Sequence, residues 1–250
     1  MATGTDVHTH VINLPNDVTR LRQATERAAR VGLSPRVFVA RTPADLDSET
    51  TVDPELAPGE IGCFMSHRAL LQEIATQPSD SLHLVLEDDV VFFPGFIESF
   101  QRVLEELAHC DAGIVQVGWL PVAAEDTSIR LLQQRLRASR LVRIPAHAMR
   151  KSVPKIPPML QETTPGWGTH CYLVSPAAAD RFATFLGRTV LAPVDYYLRA
   201  FSMLGPRTVF RTRFPLAGQD WSHASTVRDD RFNHGQRQID QRGRLTSPHG

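Results

Sequence analysis

Short apolar runs alternate with helical patterns along the chain, and this alternation restricts its possible folds more than any other feature. Residues 11–14 form an apolar run, and apolar side chains then recur near helical spacing over 18–31 until Gly32. A second apolar run, 36–40, follows. A strand, a helix and a strand in this order favour a parallel sheet with helices packed on its faces. We therefore predict an α/β fold with a mostly parallel central sheet flanked by helices.

The same reasoning assigns the later elements and the domain limits. We predict one domain over residues 1–227 and a polar, turn-rich tail over 228–250. Within the domain, the segment 120–165 is rich in arginine and proline, and we interpret it as a variable insert that forms a lid, a solvated connection being the alternative. The patterns predict further helices near 60–75, 94–108 and 176–186, and further strands at 83–86, 113–117 and 169–175.

Three consecutive carboxylates follow one of the predicted strands directly. The apolar run 84–86 ends in Glu87, Asp88 and Asp89, whose mutual repulsion needs a cation or hydrogen-bond donors to offset it. In an extended segment alternate side chains share a face, so we expect Glu87 and Asp89 to point one way and Asp88 another. Carboxylate oxygens at the carboxyl end of a parallel strand suit Mg²⁺ or Mn²⁺. A solvated acidic turn is the alternative interpretation.

Composition excludes several classes of protein. Lys and Arg number 27 and Asp and Glu also number 27, so the basic excess typical of a nucleic-acid-binding protein is missing. The cysteines Cys63, Cys110 and Cys171 lie far apart, which favours buried thiols in a reducing compartment over a disulfide framework or zinc ribbon. We find no signal peptide and no apolar stretch of transmembrane length. We expect a cytoplasmic protein, with attachment to the inner face of a membrane and the oligomeric state left open.

Five segments of the chain occur in an order that is typical of one known family. They are VINLPNDVTR (11–20), LAPGEIGCFMSHRALLQEI (56–74), LVLEDDVVF (84–92), GWGTHCYLVSPAAADRF (166–182) and PVDYYL (193–198). Together they resemble glycosyltransferase family 25, which includes lipopolysaccharide-type galactosyltransferases and relatives in collagen glycosylation. The resemblance implies a GT-A fold and transfer of a hexose, typically galactose from UDP-galactose, with inversion at the anomeric carbon and Mn²⁺ or Mg²⁺ as cofactor. The implied partners are a UDP-sugar donor and a glycan, lipid-linked, protein or small-molecule acceptor, as in lipopolysaccharide biosynthesis.

With this resemblance, roles can be assigned to individual residues. Asp89 is the first candidate metal ligand, assisted by Glu87 or Asp88, and His223 is a candidate third ligand with a surface histidine as the alternative. Asp195 is the candidate general base that accepts the acceptor proton, the alternative being a plain helix N-cap. The candidate nucleotide-sugar-binding residues are Asn13, Arg20, Ser66, His67, Glu87, Asp88, Trp167, Gly168, Thr169 and Gln219.

Simpler structural roles and other functions compete with these assignments. Arg20 could be an exposed helix arginine, His67 a buried core histidine, and Trp167 a core aromatic rather than a stacking surface for a sugar. A metal-dependent phosphoesterase or nucleotidyltransferase would use the same carboxylates, though two-metal hydrolysis needs further ligands. The third alternative is a non-catalytic sugar-binding module with a GT-A-like fold.

Overall fold

The computed structural model describes residues 6–120, 159–162, 164–204 and 208–220, together with two short strands near the C-terminus. The first half of the chain contains strands β1 (Val7–Asn13), β2 (Arg36–Val39), β3 (Thr51–Val52), β4 (Leu82–Glu87), β5 (Val90–Phe92) and β6 (Ile114–Leu120). Its helices are α1 (Val18–Arg30), a 3₁₀ turn (Pro43–Asp45), α2 (Pro58–Ala75) and α3 (Phe96–Leu107).

The second half adds strands β7 (Leu160–Gln161), β8 (Trp167–Val174), β9 (Thr189–Val190), β10 (Val209–Thr212) and β11 (Ala217–Gln219). Its two helices are α4 (Pro176–Leu186) and α5 (Val194–Leu204). Strands β12 (Gln238–Ile239) and β13 (Leu245–Thr246) form an antiparallel pair inside the predicted polar tail. The segment 121–158, which contains most of the predicted insert, lies outside the described residues.

The central sheet has the strand order β2-β1-β4-β8-β6-β10-β7. Strands β2, β1 and β4 are parallel, β8 runs antiparallel to both β4 and β6, and β10 is parallel to β6. At the far edge β7 is antiparallel to β10, and β11 links β6 to the short strand β5. The predicted α/β class is confirmed, and the sheet is mixed, with most of its strands pointing the same way.

Each face of the sheet carries its own apolar core. One core joins the inward side chains of β4 and β8 to α2, α4 and α5, with Phe64, Phe182 and Tyr197 among its largest members. The other packs α1 and α3 against the opposite face, around Phe100 and Phe210. A cleft remains open at the carboxyl ends of the parallel strands, which is where open α/β sheets bind ligands.

Local sequence signals explain where the flanking helices begin and end. Asp17 caps α1 by accepting a hydrogen bond from the Arg20 amide at 3.1 Å, and Gly32 follows the helix with a φ of 73°. Ser175 caps α4, and Pro176 occupies its first turn. Within the described residues, every helix is too short or too polar to cross a membrane.

Candidate functional site

A cleft of about 540 Å³ opens at the carboxyl ends of β1, β2 and β4. The first turns of α2 and α5 and the start of β8 complete its walls. Most of the residues selected from the sequence line this cleft, although they come from distant parts of the chain. They are Asn13, Arg20, Ser66, His67, Glu87, Asp88, Asp89, Gly168, Thr169, Asp195 and Gln219.

Glu87 ends β4 and turns toward α2 and β8. Its Oε1 lies 3.2 Å from Nε2 of His67 and accepts a 2.8 Å hydrogen bond from the Thr169 hydroxyl. The other ring nitrogen of His67, Nδ1, lies 3.0 Å from the hydroxyl of Tyr172. Burial by itself raises the pKa of Glu87, but the His67 hydrogen bond and the positive charges nearby hold that pKa below its ordinary value. Side chains from α2 and β8, His67 and Thr169, therefore keep the Glu87 carboxylate in its ionised form.

Asp88 and Asp89 lie in the turn between β4 and β5 and share one arginine. Nη2 of Arg20 contacts Asp88 at 2.5 Å and Asp89 at 3.4 Å. The amide of Asn13 donates to Asp88 at 2.7 Å, and the Gln219 amide lies 3.5 Å from Asp89. The alternation expected for an extended segment fails here because the strand ends at Glu87 and the next two residues turn. Arg20 accordingly pairs Asp88 with Asp89, and Glu87 faces the other way.

In the part of the chain that the structure describes, Asp89 is a largely buried carboxylate with one unpaired oxygen. Burial, together with the charge of Glu87, raises its pKa to about 8, and Arg20 offsets only part of that rise. Its Oδ1 is buried and has no hydrogen-bond partner among the described residues. Burial also raises the pKa of Asp88. Asp88 and Asp89, with an unused acceptor oxygen on Asp89, offer hard oxygen ligands of the kind that Mg²⁺ and Mn²⁺ prefer, so this pair fits the cofactor expected from the sequence, whereas Glu87 is engaged by His67 and Thr169.

Asp195 stands apart from this cluster on another wall of the cleft. It is 7% exposed, and it accepts hydrogen bonds from the amides of Gly168 at 3.3 Å and Tyr196 at 3.0 Å. Burial raises its pKa to about 6, although the Gly168 amide favours the charged form. Helix α5 begins at Val194, so Asp195 lies in the first helical turn and not at a cap before Tyr196. A buried carboxylate with a pKa near neutrality has the properties of a general base.

Three of the predicted site residues have other surroundings. Trp167 is 5% exposed and does not line the cleft; its ring packs 4.5 Å from Tyr196, and the Arg199 guanidinium lies 4.6 Å above it. The Ser66 hydroxyl reaches the cleft but is engaged with the backbone, accepting from the Arg41 amide at 2.8 Å and donating to Gly62 at 2.6 Å. His223 lies outside the described residues.

Several lining residues were not selected from the sequence. Arg41 and Thr42 follow β2. Their position directly after a predicted parallel strand is the sequence signal that could have identified them. Asp220 follows Gln219; its amide donates to the Asp89 carbonyl at 2.7 Å, and its carboxylate pairs with Arg27 of α1. Asp220 thereby fixes the turn that carries the acidic cluster. Cys63 also lines the cleft, one helical turn before His67.

Comparison with known proteins identifies the family. The family model described as "Glycosyltransferase family 25 (LPS biosynthesis protein)" matches residues 6–198. Glycosyltransferase R655 of Acanthamoeba polyphaga mimivirus is 39% identical over 57 residues, which are 23% of this chain and 18% of that protein. The procollagen lysyl hydroxylase and glycosyltransferase of the same virus is 38% identical over 60 residues, which are 21% of this chain and 7% of that protein.

These alignments span less than a fifth of the curated relatives they match. A solved glycosyltransferase involved in glycosylation of the major capsid of PBCV-1 aligns with 88% of this chain and 95% of its own, at 10% identity and a TM-score of 0.41. The family model itself covers the acidic cluster, the start of β8 and Asp195. Because this match extends over most of the chain and agrees with the resemblance seen in the sequence, the chain belongs to glycosyltransferase family 25.

Proposed function

We propose that this chain is a metal-dependent, inverting glycosyltransferase that moves a hexose from a UDP-sugar, with UDP-galactose as the first candidate, to an acceptor hydroxyl. The observation that supports it best is the pairing, in one cleft, of a three-carboxylate cluster with a separate buried carboxylate whose pKa is raised to about 6. Inverting transfer needs these two functions at once, a cation site for the diphosphate and a base for the acceptor.

The cation site consists of Asp89 together with Asp88 or Glu87. When bound there, a divalent cation supplies the positive charge that stabilises the departing diphosphate. Asn13 and Arg20 hold Asp88 in place, and Gln219 lies against Asp89, so the carboxylates are oriented before any ligand arrives. Such preorganisation lowers the cost of assembling the site when the nucleotide binds.

The base is Asp195. Its two backbone hydrogen bonds fix the carboxylate, and burial keeps its proton affinity high enough to accept a proton from an attacking hydroxyl near neutral pH. Gly168, which donates one of those bonds, precedes Thr169, which donates to Glu87. The start of β8 thus links the base to the acidic cluster and sets their separation.

The test is a UDP-release assay with a panel of UDP-sugars and Mn²⁺, with added sugar and glycan acceptors and the product configuration determined by NMR. We expect acceptor-dependent UDP release, inversion, and loss of turnover in Asp89→Asn. The matched control is Asp80→Asn, an exposed carboxylate outside the cleft, which should retain full activity.

Each competing function predicts a different outcome of the same assay. A phosphoesterase or nucleotidyltransferase would cleave the diphosphate itself, and hydrolysis there would release UMP and a sugar 1-phosphate in place of UDP. A sugar-binding module would bind the donor without releasing UDP. Either of these results, or a product with retained configuration, would contradict the proposal. The acceptor class and the cellular location stay predictions from the sequence.

A further inference from the structure

Three side chains with different ligand chemistry meet on the α2 side of the cleft. Cys63 and His67 are four residues apart on α2 and so lie on one helix face, and Glu87 approaches them from the end of β4. One ligand atom from each, a sulfur, a nitrogen and an oxygen, lies within 4.8 Å of the other two. We propose that these residues form a second metal site, selective for a thiophilic divalent cation such as Zn²⁺ or Cd²⁺.

The spacing of the ligand atoms suits tetrahedral coordination. Bond lengths of about 2.3 Å to sulfur and about 2.0–2.1 Å to nitrogen or oxygen place the ligand atoms of one zinc ion roughly 3.5 Å apart. Nε2 of His67 and Oε1 of Glu87 are already 3.2 Å apart. The Cys63 sulfur lies within 4.8 Å of a ligand atom of each of these residues.

Two neighbouring hydroxyl groups orient His67 and Glu87, as the residues around metal ligands ordinarily do. The hydroxyl of Tyr172 holds Nδ1 of His67 at 3.0 Å and directs the opposite nitrogen toward Glu87. The hydroxyl of Thr169 donates to the Glu87 carboxylate at 2.8 Å. Metal-binding histidines ordinarily have such a partner on the second ring nitrogen, which fixes the ring and its tautomer.

The protons and charges of the three ligands balance when a divalent cation binds to them. The Cys63 thiol releases its proton to solvent when it binds the cation. In the metal-bound form, the remaining proton of His67 resides on Nδ1, where the Tyr172 oxygen accepts it, and Nε2 gives its lone pair to the cation in place of its hydrogen bond to Glu87. The thiolate and the Glu87 carboxylate then carry two negative charges, which the divalent cation neutralises.

Ligand chemistry separates this site from the proposed donor-metal site. Asp88 and Asp89 offer only oxygen and favour Mg²⁺ or Mn²⁺, whereas sulfur and imidazole favour Zn²⁺ or Cd²⁺. Glu87 is common to both, so an ion bound by Cys63 and His67 would hold that carboxylate away from the donor.

The test is a Cd²⁺ titration of the protein in thiol-free buffer without nucleotide, followed by the ultraviolet charge-transfer absorption of a cadmium-bound thiolate. We expect one Cd²⁺ per chain with a thiolate band in wild type and in Cys110→Ser, the control for a partly buried cysteine elsewhere. The band should be absent in Cys63→Ser. Tyr172→Phe, which removes only the outer hydroxyl, should weaken binding by about 10–100-fold.

A thiolate band of full size in Cys63→Ser would overturn the proposal, as would its absence in wild type or unchanged affinity in Tyr172→Phe. The melting temperature of each variant is measured alongside, and if Cys63→Ser fails to fold, the comparison of wild type with Tyr172→Phe decides. Because no donor is present, this test fails or succeeds independently of the proposed sugar transfer.

Discussion

Replacing Asp195 with asparagine should slow sugar transfer and remove the loss of stability that wild type shows as the pH rises through about 6. As the proposed general base, Asp195 accepts a proton that asparagine cannot accept, and losing such a base typically lowers the rate by about 10²–10⁴-fold. In wild type the rate should fall about tenfold for each pH unit below about 6, since only the ionised carboxylate is active.

The stability change follows from the raised pKa. Raising the pKa of Asp195 from 3.8 to about 6 corresponds to about 3 kcal/mol, at roughly 1.4 kcal/mol per pKa unit. Because the folded state binds this proton more tightly than the unfolded state, the stabilising contribution is complete below pH 3.8 and is lost as the pH rises through about 6. Asparagine is uncharged at every pH, but its Nδ2 cannot accept one of the two backbone hydrogen bonds, from Gly168 or Tyr196, and this loss costs about 1–3 kcal/mol. The stability of the variant relative to wild type should therefore rise by about 3 kcal/mol between acid pH and pH 8.

Two measurements on one preparation test this reasoning. Urea unfolding at several pH values gives the difference in free energy of unfolding, and initial rates at saturating UDP-sugar give the rate loss. Calorimetry with the UDP-sugar checks that donor binding is unchanged. The control is Asp80→Asn, an exposed carboxylate, for which no comparable gain is expected.

A near-normal transfer rate in Asp195→Asn would remove this residue from the mechanism. A stability difference between variant and wild type that does not change with pH would refute the account of a buried charge with a raised pKa. Slow transfer with normal donor binding and the expected pH dependence of stability supports both parts, because misfolding cannot produce that combination.

Three further predictions concern other parts of the site and fold. Asp89→Asn should abolish the enhancement of UDP binding by Mn²⁺ in calorimetry with no loss of fold, and an unchanged enhancement would contradict its role as a ligand. Thr169→Val removes the hydrogen bond to Glu87 and should destabilise the protein by about 1–3 kcal/mol in urea unfolding, whereas Thr169→Ser should not; equal losses would refute this. Burial lowers the pKa of both His10 and His83 from 6.5 to about 4, so stability present above pH 6.5 should fall as the pH drops toward 4. His83→Gln should reduce that dependence, and an identical slope would count against it.

Local features of the sequence were enough to predict the long helices and the longer strands of the first half, together with β8 and the position of the acidic cluster, but not the short strands β3, β7, β9, β10 and β11. The apolar run before Glu87 and the helical spacing before Gly32 depend on neighbouring residues only, as does the cap at Asp17. The rule that ligands bind at the carboxyl ends of parallel strands then placed Glu87, Asp88 and Asp89 at the ligand-binding edge of the sheet. These predictions agree with the structure because each rests on interactions within a few residues.

The environment of each site residue was decided by tertiary structure. The sequence placed Glu87 and Asp89 on one face, but a turn and the reach of Arg20 paired Asp89 with Asp88 instead. The antiparallel course of β8 brings Thr169 to Glu87 across 82 positions of the chain, and no local pattern encodes that pairing.

The burial of the site residues was also decided by the tertiary structure. Asp195 acquires its raised pKa from the walls that helix α5 and strand β8 build around it. Trp167 is turned away from the cleft by its packing against Tyr196 and Arg199. Sequence determined which chemical groups stand at the ends of the strands, since that depends on chain order. Their partners, their exposure and their proton affinities depend on contacts between distant segments, which exist only once the sheet has assembled.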